Sequence, residues 1–259
     1  MIELQLAGGR VRAASYGAGE PLVLFHSLLA DRSSFDGVIA AYSEHFRVIL
    51  PELPGFGGSE FVPGGLGPVA ERMAEAVAEI GGPVRLLGNG YGGFVALQMT
   101  LRHPELVSRL VLADAGACFS EPGRAAFRGM AAGATAKGLE GIADVAMRRL
   151  FAPDFHAANP ELVAERRAIF LTSKLETVTT ACGALAEMDL RPELSAATMP
   201  VLVVVGAQDE ATPPPMSAEA AKLLPRAALV VLDGLAHVPQ LQAPERFLAA
   251  TLPFLQDNT

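Results

Sequence analysis

Short apolar runs recur along the chain and are separated by stretches of helical periodicity. The runs are Leu22–Phe25, Val48–Leu50, Val84–Leu87, Leu110–Leu112, Val201–Val205 and Leu229–Leu232. Strands that are apolar at successive positions, rather than at alternate ones, are typical of a parallel sheet covered by helices on both faces. Before them, residues 2–16 alternate weakly around Gly8-Gly9, which predicts a β-hairpin. The pattern therefore predicts an α/β architecture of repeated βαβ units.

One long segment interrupts this rhythm. From Cys118 to about Ser195 no strand-like run appears, and the sequence is rich in Ala, Glu and Arg with Gly or Pro at intervals. A helical insertion cannot extend the sheet, so we expect it to fold over one end of the sheet. We predict a core made of residues 1–117 and 196–259, with residues 118–195 as a helical cap.

Composition excludes several classes of partner. The 259 residues are 51% hydrophobic, and 20 Lys+Arg against 28 Asp+Glu give a net charge of −8. Nucleic-acid binding needs clustered positive charge, and the chain has no Lys/Arg-rich run. Residues Met1 to Gln5 lack a basic segment followed by an apolar stretch, and no run approaches the roughly 18 apolar residues that span a bilayer. We expect a cytoplasmic protein with a small-molecule substrate and neither a nucleic-acid nor a membrane partner.

The metal-binding residue types are sparse. Two cysteines, Cys118 and Cys182, are too few for a disulfide framework and lack the paired spacing of a zinc or iron–sulfur site. His45, His103 and His156 show no metal-ligand spacing either. We therefore predict reduced, packed cysteines and neither a metal nor a cofactor.

A glycine-rich turn joins the run Val84–Leu87 to an apolar helical stretch. Its sequence, Gly88-Asn89-Gly90-Tyr91-Gly92-Gly93, formally fits the dinucleotide-binding pattern, with Asp114 about 24 residues after Gly90. That loop belongs near the first strand of a fold, whereas this turn follows several strands. A second fold also has a sharp strand–turn–helix junction. Its turn has the sequence Gly-x-Ser-x-Gly and is called the nucleophile elbow.

Four further motifs stand in a fixed order around this turn. They are His26-Ser27-Leu28-Leu29 after an early strand, Glu52-Leu53-Pro54-Gly55-Phe56-Gly57-Gly58-Ser59, Val204-Val205-Gly206-Ala207-Gln208-Asp209 at the end of a strand, and Gly234-Leu235-Ala236-His237 before the last helix. With them, the chain resembles the α/β-hydrolase superfamily over almost its full length. Within it, the chain is similar to small bacterial enol-lactonases, carboxylesterases and carbon–carbon bond hydrolases.

The resemblance implies a mostly parallel sheet with helices on both faces, a helical cap insertion and a site at the elbow. It makes Asp209 the acid and His237 the histidine of a catalytic triad. It also makes the backbone amides of Leu28 and Tyr91 the oxyanion donors. By position alone, Asp209 also fits a helix cap and His237 a surface histidine. We interpret His26 as scaffolding for the oxyanion turn.

Gly90 stands where the resemblance requires the serine nucleophile. Glycine has no side chain and cannot form an acyl-enzyme, so the Ser–His–Asp mechanism cannot run through this position. Three interpretations stay open: an inactivating replacement of serine, a natural hydrolase without covalent catalysis, and a relative that binds ligand without turnover. In the second, His237 activates a water in the space that a serine hydroxyl would fill. We predict a hydrolase of small ester, lactone or ring-cleavage ketone substrates, impaired or working through that water; the alternative is a non-catalytic ligand-binding or receptor protein.

Overall fold

The structure is a computed structural model that describes residues 2–257. Met1, Asn258 and Thr259 lie outside the described residues, and so do the extreme ends of the predicted core. Within residues 2–257, no helix is both long and apolar enough to cross a lipid bilayer.

The strands of the described chain all belong to one sheet. They are β1 (Ile2–Leu6), β2 (Val11–Tyr16), β3 (Pro21–Phe25), β4 (Arg47–Pro51), β5 (Val84–Asn89), β6 (Val107–Ala113), β7 (Val201–Gly206) and β8 (Ala227–Leu232). Their order across the sheet is β1-β2-β4-β3-β5-β6-β7-β8. β1 and β2 form the predicted hairpin, β2 pairs antiparallel with β4, and the pairings from β4 to β8 are parallel.

Helices lie in the connections that follow β3 to β7, and helices also follow β8. They are α1 (Asp36–Ser43), α2 (Leu66–Ile80), α3 (Tyr91–Arg102), α4 (Glu121–Lys137), α5 (Glu140–Leu150), α6 (Pro153–Ala158), α7 (Pro160–Leu171), α8 (Leu175–Glu187), α9 (Pro214–Leu223), α10 (Pro239–Gln242) and α11 (Pro244–Gln256). Short 3-10 turns cover Arg32–Phe35, Pro104–Leu106 and Arg191–Ala196.

The apolar runs are continuous because the central strands are buried on both faces. In β3, Val23 and Phe25 pack in one core cluster, whereas Leu22 and Leu24 pack in another. Successive strand residues point to opposite faces, so both faces need apolar side chains. The edge strand β8 departs from this expectation, since Val231 is 50% exposed.

The segment between β6 and β7 is helical, with α4 packed against α8. Its two ends meet in an antiparallel bridge between Cys118 and Asp189, outside the named strands. Arg124 ties the same ends together, because its guanidinium donates to the carbonyl oxygens of Ala186 at 2.6 Å and Met188 at 2.9 Å. The boundary at residues 118–195 stays a prediction.

Candidate active site

Gly90 forms a sharp turn between β5 and α3. Its backbone has φ +53° and ψ −121°, in the region that glycine adopts without the clash that a Cβ atom brings. The next turn of chain packs tightly, since a Cβ added to Gly92 would lie 2.3 Å from the carbonyl oxygen of Phe25. The start of α3 therefore lies directly against the end of β3.

This close approach brings the two predicted oxyanion donors to one cavity, which both Leu28 and Tyr91 line. Among residues 2–257, neither of these backbone amides donates a hydrogen bond to another protein group. Tyr91 is the first residue of α3, where the helix leaves its amides without internal partners. Free amides at a helix start favour negative charge on a bound oxygen.

Asp209 and His237 meet although they follow different strands. Asp209 follows β7 and His237 lies in the loop after β8, and Asp209 Oδ2 is 2.9 Å from His237 Nδ1. The other oxygen, Asp209 Oδ1, accepts from the backbone amides of Ala211 at 2.7 Å and Thr212 at 3.0 Å. The carboxylate therefore binds the turn of residues 209–212 and contacts the imidazole, but it does not cap a helix, because the N-cap of α9 is Pro213.

Ser27 occupies the place where a nucleophile is expected to meet the histidine. Its Oγ lies 3.2 Å from His237 Nε2, the ring nitrogen that does not face Asp209. Ser27 is 1% exposed and lines the cavity beside Leu28 and Tyr91. The sequence motif His26-Ser27-Leu28 contains this residue, but sequence reasoning missed its role because nothing local shows which side chain reaches His237.

The backbone of Gly90 lies close to two polar side chains. A Cβ added to Gly90 would lie 2.6 Å from His237 Nε2 and 2.6 Å from Ser27 Oγ. Real Cβ atoms do not approach polar atoms this closely, so a side chain at position 90 requires both neighbours to move. The position of a Cβ atom next to Gly90 is therefore crowded by the His237 ring and the Ser27 hydroxyl, and room for a water is left only in the adjoining cavity.

His26 holds the turn that carries Ser27. Its Nε2 accepts from the Leu53 amide at 3.1 Å, so Nδ1 carries the proton and donates to the Ser27 carbonyl oxygen at 2.9 Å. Burial lowers the pKa of His26, which keeps the ring neutral in this arrangement. The geometry supports the interpretation of His26 as scaffolding.

Asn89, directly before Gly90, fixes the backbone of His237. Its Nδ2 donates to the His237 carbonyl oxygen at 2.9 Å, and its Oδ1 accepts from Gln240 Nε2 at 3.0 Å. Asn89 and Gln240 are fully buried. Sequence reasoning missed both as positioning residues; the polar Asn89 inside an otherwise apolar and glycine-rich strand end was the available signal.

A second carboxyl group, Asp114, lies beneath the pair. Asp114 is fully buried at the end of β6, and its Oδ1 accepts from the Gly206 amide at 2.8 Å. Burial raises the pKa of Asp114 well above its usual range, and the nearby Asp209 carboxylate adds to the effect. Thr212 joins the two, because its Oγ1 donates to the Asp114 carbonyl oxygen at 2.7 Å and contacts Asp209 Oδ2.

The cavity over these groups is small and mostly apolar. Its volume is ≈ 20 Å³, which is enough for about one water molecule. Phe127, Met130, Arg149 and Leu185 of the inserted helical segment line it from above. Outside lies a groove of ≈ 1050 Å³, and Phe127, Arg149 and Ala211 line both spaces. These three residues form the wall between the groove and the site.

The two cysteines are buried and free. Burial raises the pKa of Cys182 to about 12, so its thiolate is not populated at neutral pH. Cys118 Sγ lies 3.1 Å from Arg124 Nη2, in the bridge at the base of the insertion.

Comparison of the sequence with known proteins agrees with this geometry. The sequence model described as the alpha/beta hydrolase family matches residues 22–250. The chain belongs to the alpha/beta hydrolase family. The predictions of the α/β-hydrolase fold and of the resemblance to esterases and enol-lactonases are confirmed.

The chain is similar to named enzymes and to proteins of solved structure. The chain is 32% identical to a pimeloyl-[acyl-carrier protein] methyl ester esterase of Aeromonas hydrophila, covering 92% of this chain and 96% of that protein. It is 27% identical to 3-oxoadipate enol-lactonase 2 of Acinetobacter baylyi, covering 90% and 88%. A thermophilic esterase structure from Thermogutta terrifontis superposes with a TM-score of 0.86 at 28% identity, covering 98% and 97%.

The structure brings together the residues that sequence analysis selected for the site. The turn at Gly90 and the pair of Asp209 and His237 lie beside one another, and Leu28 and Tyr91 line the adjoining cavity. Ser27, Asn89 and Thr212 join this set from structure alone.

Proposed function

We propose that the protein hydrolyses small carboxylic esters or lactones, with ring-cleavage ketones as a further substrate class. The observation that carries this proposal is the 2.9 Å contact from Asp209 to His237, whose other nitrogen faces a hydroxyl beside a cavity lined by Leu28 and Tyr91. A buried carboxylate and imidazole beside free amides is the arrangement that acyl transfer needs.

Each residue then has a role in attack on a carbonyl carbon. Asp209 orients the imidazole, and His237 removes a proton from the attacking oxygen and returns it to the leaving group. The Leu28 and Tyr91 amides bind the oxygen that gains negative charge. Gly90 forms the sharp turn but has no side-chain oxygen, so the attacking oxygen belongs to a water or to another hydroxyl. We expect turnover below that of a serine-bearing enzyme.

The relatives support an ester or lactone substrate. Proteins similar over about nine-tenths of this chain are named a methyl ester esterase and an enol-lactonase. Both names describe attack on a carboxylic acid derivative, which suits two amides and a histidine base. No step in this chemistry requires a cofactor.

Access to the site must involve the helical segment. A cavity of ≈ 20 Å³ does not admit an ester, so the wall formed by Phe127, Arg149 and Ala211 has to open toward the groove. We propose that residues 118–195 act as a cap whose movement admits substrate.

The alternative is a protein that binds a ligand without turnover. The absence of a side-chain oxygen at Gly90 favours this alternative, because it removes the usual nucleophile without preventing a ligand from binding once the cap opens. One scaffold hosts both kinds of protein.

Kinetic assays separate the two functions. The protein, the His237→Ala variant and the Gly90→Ser variant are assayed on p-nitrophenyl acetate, butyrate and hexanoate and on a panel of lactones. The hydrolase proposal expects turnover that depends on His237 in the unaltered protein, and turnover in Gly90→Ser. If neither the unaltered protein nor the Gly90→Ser variant turns over any substrate, the hydrolase proposal is contradicted and the ligand-binding alternative is favoured.

A further inference from the structure

We propose that Ser27 is the nucleophile of this site, in place of the missing serine at the elbow. The inference rests on the proposed hydrolase function and assigns the attacking oxygen that the function leaves open. It moves the triad to Ser27, His237 and Asp209.

The hydrogen-bond chain supports this assignment. Ser27 Oγ is 3.2 Å from His237 Nε2, and His237 Nδ1 is 2.9 Å from Asp209 Oδ2. A hydroxyl at one imidazole nitrogen and a carboxylate at the other is the connection by which a serine is activated. All three side chains are buried, so bulk water does not compete for the base.

Gly90 makes this contact possible. A Cβ at position 90 would lie 2.6 Å from both Ser27 Oγ and His237 Nε2, too close to both atoms for them to keep these positions. The hydroxyl and the imidazole can lie this close to the elbow because Gly90 has no side chain. Gly90 and Ser27 are therefore complementary, because the position without a side chain leaves room for the Ser27 hydroxyl beside His237.

The oxyanion donors also suit a nucleophile at position 27. The elbow arrangement uses the amide of the residue after the nucleophile, together with an amide from the loop after β3. With Ser27 attacking, the Leu28 amide becomes that of the following residue, and the Tyr91 amide comes from the facing loop. The same two donors serve, with their roles exchanged.

The Ser27 backbone is held for such a role. Its carbonyl oxygen accepts from His26 Nδ1 at 2.9 Å and from the Ala30 amide at 3.3 Å. His26 is itself anchored by the Leu53 amide. A nucleophile on a fixed turn keeps its orientation toward the base, which lowers the entropy cost of reaching the transition state.

The chemistry balances without any further reactant. Ser27 Oγ forms a bond to the ester carbonyl carbon while His237 Nε2 takes the hydroxyl proton. The carbon–oxygen bond to the alcohol then breaks, and the alcohol leaves with the proton from the imidazolium, which gives acyl-Ser27. Water attacks this ester with His237 as base, and the carboxylic acid leaves as the Ser27 hydroxyl is restored.

Covalent trapping of the unaltered protein tests the proposal. A p-nitrophenyl alkylphosphonate reacts with an activated serine and releases one p-nitrophenolate, and peptide mass spectrometry locates the adduct. We expect one adduct per chain, on the peptide that contains Ser27. Ser27→Ala abolishes it, and His237→Ala slows labelling by at least about 100-fold, as expected for loss of a general base. Ser34→Ala is the control, since Ser34 Oγ is buried without a hydrogen-bond partner among the described residues.

The outcomes separate this inference from the proposed function. An unaltered protein that hydrolyses esters but gives no Ser27 adduct, with Ser27→Ala equally active, overturns the nucleophile and leaves a water mechanism. A protein with neither activity nor adduct, made active by Gly90→Ser, overturns Ser27 and keeps the hydrolase site. Absence of esterase activity from both the unaltered protein and the Gly90→Ser variant contradicts the proposed function itself. Because the adduct is mapped on the unaltered protein, poor folding of Ser27→Ala does not affect the result.

Discussion

Ser27 Oγ and His237 Nε2 lie 3.2 Å apart although 210 positions separate them in the chain. Ser27 follows β3, and His237 follows β8 at the far edge of the sheet. Parallel strands deliver the loops after their carboxyl ends to the same edge, which is where ligand sites of such sheets form. The two atoms meet beside Gly90, which has no side chain to keep them apart.

Gly90→Ala is expected to lower esterase activity by at least about 10-fold, a loss of roughly 1.4 kcal/mol in transition-state stabilisation. The added Cβ would lie 2.6 Å from Ser27 Oγ and from His237 Nε2, so these atoms must move and their contact is weakened. Steady-state kinetics on p-nitrophenyl butyrate measure the effect. The control is Gly138→Ala, where φ is similar at +71° and no atom elsewhere in residues 2–257 lies within 4 Å of the added Cβ. Equal activity in both variants contradicts the steric explanation.

Gly90→Ser is expected to gain acyl-transfer activity at position 90 and to lose stability. Strain at positive φ costs about 1–3 kcal/mol, which exceeds the gain of up to about 1 kcal/mol from the less flexible unfolded chain. The melting temperature should fall by a few degrees at this chain length. The double variant Ser27→Ala with Gly90→Ser should remain active, since removal of the Ser27 hydroxyl makes room. A Gly90→Ser variant that is both active and clearly more stable shows that the turn is unstrained.

Asp114→Asn is expected to stabilise the protein increasingly as pH rises above about 4. The raised pKa of Asp114 means that the folded state holds a proton that the unfolded chain has released. Stability of the unaltered protein therefore falls with rising pH through this group, by about 1.4 kcal/mol per unit, until Asp114 ionises in the folded state. Asparagine also tolerates the φ of +49° at this position.

Urea unfolding of both proteins at pH 5, 6 and 7 measures this difference. Asp154→Asn, at an exposed aspartate, controls for the loss of one carboxylate. A stability difference between Asp114→Asn and the unaltered protein that does not change with pH argues that Asp114 is ionised in the folded state.

Phe127→Leu is expected to favour longer acyl chains. Phe127 lines both the site cavity and the outer groove, and the Arg149 guanidinium lies 5.8 Å from its ring centroid. A shorter side chain opens the wall, so the ratio of kcat/KM for hexanoate to that for acetate should rise about 10-fold, the effect of roughly one methylene of pocket space. Phe151→Leu is the matched control, because Phe151 is buried and does not line the cavity. The same ratio in both variants rejects this wall as the route of entry.

Backbone amides in the helices of residues 118–195 are expected to exchange hydrogen faster than those in β3, β5 and β6. Lids belong to the less stable parts of a structure, whereas these strands pair on both sides. Hydrogen exchange followed by mass spectrometry compares the two groups of peptides. Arg124→Met, which removes the bonds to Ala186 and Met188, should widen the difference. Uniform protection across both regions contradicts a mobile cap.

The sequence by itself determined the order of elements and selected the residues of the candidate site. Continuous apolar runs predict buried parallel strands, and glycine spacing predicts the turn at Gly90, because periodicity and backbone freedom are local properties. The resemblance to α/β-hydrolases selected Asp209 and His237 from their places after the last two predicted strands. The exposed face of β8 was not predictable, since an apolar run does not show which strand lies at the edge of the sheet.

Only the tertiary structure decided what surrounds Gly90. The meeting of Ser27 with His237, the anchoring of the His237 backbone by Asn89 and the buried Asp114 beneath Asp209 all join residues far apart in the chain. Such contacts depend on how closely loops from separate strands approach, at a scale of tenths of an ångström. Sequence patterns specify which residues reach one edge of the sheet, and packing then selects which side chains touch.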